Sequence, residues 1–219
     1  MFNSIIPIWK PVDWTSFDVV KKIRSQIKPS KVGHTGTLDP FAEGVLILCS
    51  GNCTKKVELF MEEEKEYIAE IQLGIETDTL DRTGKLVKTA NIPNLSEDII
   101  KTVLKLFIGS IMQKPPMFSA LKVNGQPLYK SARKGINIPR KKRLVSIYDI
   151  ELINFSKDII KIKVTSGKGT YIRSLAKDIA VKLNTVGHLV TLKRTRIGGY
   201  DKKNCITVEE FPNWISART

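Results

Sequence analysis

The chain of 219 residues carries 36 Lys and Arg against 22 Asp and Glu, a formal net charge of +14, and 42% of it is hydrophobic. That length suits one well-buried core or two small ones, and the apolar fraction excludes a disordered chain. The charge points to polyanionic partners. No uncharged apolar stretch approaches the roughly 20 residues that cross a bilayer. The apolar start from Phe2 to Trp9 is short, lacks a basic leader and contains Pro7, which does not fit a secretory segment. The three cysteines, Cys49, Cys53 and Cys205, are odd in number and have no disulfide-framework spacing. They fit small inert thiols in a reducing cytoplasm. Only His34 and His188 could join them as soft ligands, so no metal site is expected.

In chain order, Thr15 and Ser16 precede Phe17, Val20, Ile23 and Ile27, an amphipathic helix with a capping residue at its start. A loop rich in Gly, Thr and Asp follows at residues 31–40. The alternation Tyr67, Ala69, Ile71, Leu73 predicts a strand with one face buried. Ser96 opens a second helix, with Ile99, Ile100, Val103, Leu104 and Phe107 inward and Gly109 as its stop. Residues 144–154 and 158–166 read as two strands, the second carrying Ile160, Ile162 and Val164 on one face. Ile172, Leu175, Ile179 and Leu183 mark a third helix. His188 to Tyr200 reads as further strand, with Lys193, Arg194 and Arg196 interleaved. Thr207 and Glu210 have capping-box spacing for a short last helix. Repeats and Gly-, Ser- or Pro-rich linkers are absent from this pattern. The mixture lacks a steady βαβ rhythm, so the expectation is an α+β fold, a mixed and mostly antiparallel sheet flanked by helices, in a single domain over residues 1–219.

The densest segment is Lys31-Val-Gly-His-Thr-Gly-Thr-Leu-Asp-Pro40, continuing to Val45. Its glycines relax the backbone, while Pro40 restricts Asp39 to extended geometry. Such a loop can present a carboxylate at a fixed angle to act as nucleophile or base. It can equally be an ordinary turn in which Asp39 caps a backbone amide, the commoner case by local pattern alone. Ser166-Gly-Lys-Gly-Thr-Tyr-Ile-Arg173 has the outline of a phosphate loop. However, Ile162 stands where that loop needs its first glycine, and Gly169 stands where Ser or Thr should follow the lysine. What remains is a turn that delivers Tyr171 and Arg173 from the start of a helix, where Arg173 can pair with a buried carboxylate or lie on the surface. Tyr67 can be a core tyrosine or a platform on which a nucleobase stacks. Basic residues cluster at Lys130, Arg133 and Lys134, at Arg140 to Arg143, and at Lys193 to Arg196. Any one run is usually a solvated face, whereas three runs in so basic a chain point to nucleic acid.

Taken together, these segments resemble the TruB family of tRNA pseudouridine synthases. Gly33-His-Thr-Gly-Thr-Leu-Asp-Pro40 is similar to the family's catalytic loop, and Lys168-Gly-Thr-Tyr-Ile-Arg173 to its arginine motif. Lys114-Pro-Pro-Met-Phe-Ser-Ala-Leu-Lys122, continuing through Gly125 to Arg143, resembles a third segment. Glu66-Tyr67, leading into Leu73-Gly-Ile-Glu-Thr-Asp78, resembles the strand that bears the family's active-site tyrosine. The likeness spans Lys10 to about Tyr200. Two departures stand out. Asp13 occupies a turn position where the family usually has glycine, and Asp tolerates left-handed geometry better than most residues. Many members also carry a C-terminal RNA-binding PUA domain, which the chain, ending at Thr219, is expected to lack.

The resemblance implies isomerisation of the T-loop uridine at tRNA position 55, with the base detached, turned and rejoined through carbon, and without a cofactor. It implies Asp39 as the essential carboxylate and Arg173 as the cation that holds it ionised. Tyr67 would stack on the target base, Tyr171 and Leu192 would wall the pocket, and His34 would fill the gap left by the extruded nucleotide. This is base flipping, in which pocket contacts offset the cost of unstacking. The expected partner is the T stem-loop of tRNA, bound by a monomer that needs no protein partner or membrane. The rival readings are a guide-dependent pseudouridine synthase and a non-catalytic tRNA-folding chaperone.

Overall fold

The computed structural model describes residues 2–123 and 125–218. Its strands in chain order are β1 (Ile5–Lys10), β2 (Val32–His34), β3 (Glu43–Ser50), β4 (Lys65–Leu73), β5 (Ile75–Thr77), β6 (Leu86–Thr89), β7 (Gly109–Gln113), β8 (Lys122–Val123), β9 (Gln126–Pro127), β10 (Arg143–Phe155), β11 (Ile159–Ser166), β12 (Gly187–Ile197) and β13 (Tyr200–Asp201). The helices are α1 (Ser16–Gln26), α2 (Val57–Glu62), α3 (Glu97–Lys105), α4 (Leu128–Ala132), α5 (Ile172–Lys182) and α6 (Phe211–Ser216). The chain divides into two compact units, residues 1–67 with 192–219 and residues 68–191. Most strand pairings are antiparallel and helices flank the sheet, the α+β class expected from the pattern. Among the described residues no helix is long and apolar enough to cross a membrane.

In the first unit β3 is the central element. It runs antiparallel to β1, from Ile5 opposite Cys49 to Lys10 opposite Gly44, and also pairs antiparallel with β2. At its start β12 joins it in parallel, placing Arg194 opposite Gly44. One face of β3 packs Leu46 and Leu48 against Val19, Val20, Ile23 and Phe211. The other packs Val45 and Ile47 with Ile197, Trp9 and Phe60. Burial on both faces explains why this strand reads as a continuous apolar run rather than an alternation. Thr15 and Asp18 close both hydrogen bonds of a capping box at the start of α1. Phe17 faces solvent, and Ser16 takes the inward place instead. Thr207 and Glu210 do exchange the two bonds expected from their spacing. They close the turn just before α6, whose first residue is Phe211.

In the second unit the order is β4-β11-β10-β7, with β10 antiparallel to both of its neighbours. Along β11 the expected face, Ile160, Ile162 and Val164, is fully buried. Ser96 caps α3 by accepting from the Ile99 amide, and the helix buries Ile100 and Leu104. Ile99 is 46% exposed, against expectation, because the packed stripe is narrower than the apolar one. The face of α5 built on Ile172, Leu175 and Ile179 is inward as the spacing predicted, and Arg173 and Ser174 are buried with it.

Candidate active site

The loop from Thr35 to Ala42 in the first unit is shaped by contacts to its main chain. The Ser16 hydroxyl accepts from the Leu38 amide at 2.9 Å and lies 3.2 Å from the Leu38 carbonyl, on which it donates. Asp13 adopts φ 64, the left-handed geometry that its place in the turn required, and its amide donates to the Pro40 carbonyl at 2.8 Å. The Ala42 amide donates to the Asp39 carbonyl. Asp39 thus sits between two residues whose main chains are held from α1 and from the turn before it.

Two buried cations complete the clamp. Lys10, at the end of β1, is fully buried, and its Nζ donates to the carbonyls of Pro11, Trp14 and Pro40 at 2.7, 2.6 and 3.3 Å. Burial pulls the Lys10 ammonium down to about 8, against the attraction of the Asp39 carboxylate, while Arg194 adds repulsion. Arg194 is 2% exposed; its Nε donates to the Val45 carbonyl at 2.7 Å and its guanidinium to the Gly36 carbonyl at 3.2 Å. It therefore ties the start of the loop that carries Asp39 to β3 just beyond the loop's end. Gly44 is required beside it, since a Cβ at this residue, φ 124, would lie 2.2 Å from the Arg194 carbonyl oxygen.

His34 is half-buried at the end of β2, and burial followed by the Arg194 charge pulls its imidazole below the usual range. The Gly36 amide donates to its Nδ1, which fixes the neutral tautomer with the proton on Nε2. Tyr67 is 8% exposed on β4, and Leu192 is buried on β12. These strands are neighbours, tied in this unit by the Thr195 hydroxyl donating to Glu66. Four of the expected residues, His34, Asp39, Tyr67 and Leu192, thus belong to the first unit.

Tyr171 and Arg173 belong to the second, at the turn into α5. Arg173 is buried. Its guanidinium donates to the carbonyls of Thr79 at 2.9 Å and Phe118 at 2.7 Å, and lies 3.5 Å from the Asp81 carboxylate. Asp81 is buried too, and its other oxygen accepts from the hydroxyls of Thr79 and Thr83 and from the Thr83 amide. Sequence reading did not single out Asp81. The alternation Thr79, Asp81, Thr83 was the available signal. Lys10 and Arg194 were missed as well. The basic run Lys193–Arg196 is not an open cationic face: Lys193 pairs with Glu43, Arg196 with Glu64, and Arg194 is interior. Its parity with Leu192 on a strand could have shown this. Arg133 and the run Lys141–Arg143 are exposed as expected, Arg133 lying over the Tyr129 ring.

The first unit offers a braced carboxylate with an aromatic ring and an apolar wall on adjacent strands; the second, by itself, offers a buried guanidinium. The family described as TruB family pseudouridylate synthase (N terminal domain) matches residues 24–172, and the tRNA pseudouridylate synthase B C-terminal domain matches residues 173–218. A protein of Clostridium kluyveri named tRNA pseudouridine synthase B is 49% identical over 94% of this chain and 71% of its own length. One of Francisella tularensis with the same name is 47% identical over 95% of this chain and 70% of its own. Among solved structures, a Cbf5-Nop10-Gar1 complex aligns over 100% of the chain at 30% identity and a TM-score of 0.75. An H/ACA RNP bound to a substrate RNA containing 2′-deoxyuridine aligns at 27% identity and a TM-score of 0.71. The chain spans 57% and 56% of the lengths of those two proteins.

Proposed function

The chain belongs to the TruB family of pseudouridylate synthases, and we propose that it converts the T-loop uridine at position 55 of tRNA to pseudouridine through Asp39, without a cofactor. The reaction is an isomerisation, so its atoms balance within the substrate. The bond from C1′ to N1 breaks, a bond from C1′ to C5 forms, and the proton lost from C5 is matched by one gained at N1. No oxidant, reductant or energy source is consumed.

The observation that carries the reading is the bracing of the Asp39 loop. Ser16 holds Leu38, Lys10 holds Pro40, and Arg194 ties Gly36 to Val45. A turn that merely connects two strands needs no such set of buried cations, whereas a carboxylate that must meet an extruded nucleoside at a fixed angle does. Arg173 is assigned by the resemblance as the cation that keeps Asp39 ionised. Its burial and the support of Asp81 suit a guanidinium that works away from bulk water. Tyr67 offers a ring for stacking on the target base, Leu192 and Tyr171 supply apolar and aromatic walls, and neutral His34 takes the place of the departed nucleotide. The exposed run Lys141–Arg143 supplies backbone affinity for the T stem, which falls as salt rises.

In this reading the chain works in the cytoplasm as one catalytic domain and a monomer, directly on tRNA, with no guide RNA or protein partner. The relatives named tRNA pseudouridine synthase B across nearly the whole chain support tRNA as the substrate. The test is pseudouridine formation on an unmodified tRNA transcript, with wild type and Asp39→Asn side by side. Product at the T-loop uridine from the wild type alone, with tRNA still retained by the variant, is the expected result. Binding without product from the wild type overturns it.

A further inference from the structure

The turn that delivers Tyr171 and Arg173 is held by a residue outside the four family-like segments. Gln113, the last residue of β7, is 1% exposed, although its neighbour Met112 on the same strand is 56% exposed. Its carboxamide makes two hydrogen bonds to one residue. The Tyr171 amide donates to Gln113 Oε1 at 2.8 Å, and Gln113 Nε2 donates to the Tyr171 carbonyl at 3.2 Å. Tyr171 has φ −101 and ψ 107, extended geometry in which the N–H and C=O of one residue point to the same side. A primary amide matches that pair as the opposing residue of an antiparallel ladder would, with one donor and one acceptor at the right spacing.

The next residue, Ile172, is already helical. Gln113 thus grips the chain at the point where it switches from extended to helical, and that switch sets the direction in which the Tyr171 and Arg173 side chains leave the backbone. Two further bonds run between the same segments. The Ser174 hydroxyl donates to the Lys114 carbonyl at 2.8 Å, and Arg173 donates to the Phe118 carbonyl. Of these contacts, the paired Gln113 bonds act on the switch residue itself, and the Tyr171 side chain makes no capping hydrogen bond of its own.

We propose that Gln113 is a positioning residue for the isomerisation, fixing the stance of Tyr171 and Arg173 through the Tyr171 main chain. This rests on the reading of the chain as a pseudouridine synthase that uses those two side chains. An apolar side chain of similar length removes both bonds. A glutamate keeps the acceptor but, when ionised, lacks the donor, and it regains an O–H donor on protonation. Burial raises the pKa of such a carboxyl, which brings its titration toward neutral pH.

The experiment compares wild type, Gln113→Leu and Gln113→Glu in single-turnover pseudouridine formation on a tRNA transcript between pH 6 and pH 8, with tRNA affinity and thermal unfolding measured alongside. Displaced reacting groups cost rate rather than affinity, so Gln113→Leu is expected to lose on the order of ten- to a hundredfold in rate at unchanged tRNA affinity. The rate of Gln113→Glu relative to wild type is expected to climb as pH falls, at temperatures where the unfolding measured at each pH shows both proteins folded, which separates positioning from loss of fold. Gln113→Leu turning over at the wild-type rate overturns the proposal. So does a flat pH ratio for Gln113→Glu, which decides the matter even where the leucine variant does not fold. A wild type that yields no pseudouridine overturns the enzymatic reading itself, and is thereby told apart from a failure of Gln113 alone.

Discussion

The loop of Asp39 and the turn of Arg173 both present a charged side chain, but they are built in opposite senses. In the first unit the buried cations, Lys10 and Arg194, are struts that grip main-chain carbonyls, and the Asp39 carboxylate attracts Lys10 as well. In the second unit the charged side chain is itself a strut. The Arg173 guanidinium bonds two loop carbonyls and faces the buried Asp81. On the proposed roles, Asp39→Asn and Arg173→Met should therefore differ in how far they weaken the fold.

The largest effect that follows is on rate. Asp39→Asn should lower pseudouridine formation by on the order of a thousandfold or more, with a smaller fall in unfolding temperature than Arg173→Met shows. A large fall in unfolding temperature would break the contrast. Arg173→Met should lose activity and also about 3–5 kcal/mol of stability, because it strands Asp81 without its cation. Urea unfolding reads this directly, and a variant as stable as wild type would show that the arginine is no strut. Gly44→Ala tests the strut from the side of the loop. Its Cβ would meet the Arg194 main chain in a backbone region alanine avoids, so a loss of about 2 kcal/mol is expected together with a lowered rate. Retained activity in a destabilised Gly44→Ala would separate the clamp from the chemistry.

The smallest effect sharpens the role of Lys10. Its folded value of about 8 lies below the 10.5 of an unperturbed lysine. Between those values the unfolded chain binds more protons, so this group makes stability rise with pH across that window. Unfolding of wild type and Lys10→Met, compared from pH 7.5 to pH 10, should show the wild type gaining on the variant as pH increases. Parallel curves would mean that Lys10 is not the buried ammonium of the clamp.

Two elements with one face on the core were legible in the sequence, whereas β1, read only as an apolar start, alternates just as regularly. The Tyr67–Leu73 alternation and the Ile172, Leu175, Ile179 spacing both stand in the fold as read. β3 escaped because Val45 and Ile47 pack on one side and Leu46 and Leu48 on the other, which erases the period that marks a strand. Asp39 was legible through its glycines and proline, since backbone constraints are written locally. The clamp around it was not, because Lys10 and Arg194 act at sequence distances that no local pattern records. Lys10 carries no local sign of being interior, and for Arg194 the one hint was its strand parity with Leu192. Phe17 shows the converse: an aromatic at a helix start reads as core, yet the inward place belongs to Ser16, whose hydroxyl the loop requires.

The grip of Lys10, Ser16 and Arg194 on carbonyl and amide groups has a practical corollary. Thr37 is exposed between Gly36 and Leu38, whose main chains Arg194 and Ser16 hold. A fluorophore or cross-linker installed at Thr37 would ride on a rigid mount two residues from Asp39 and report the arrival of an RNA there.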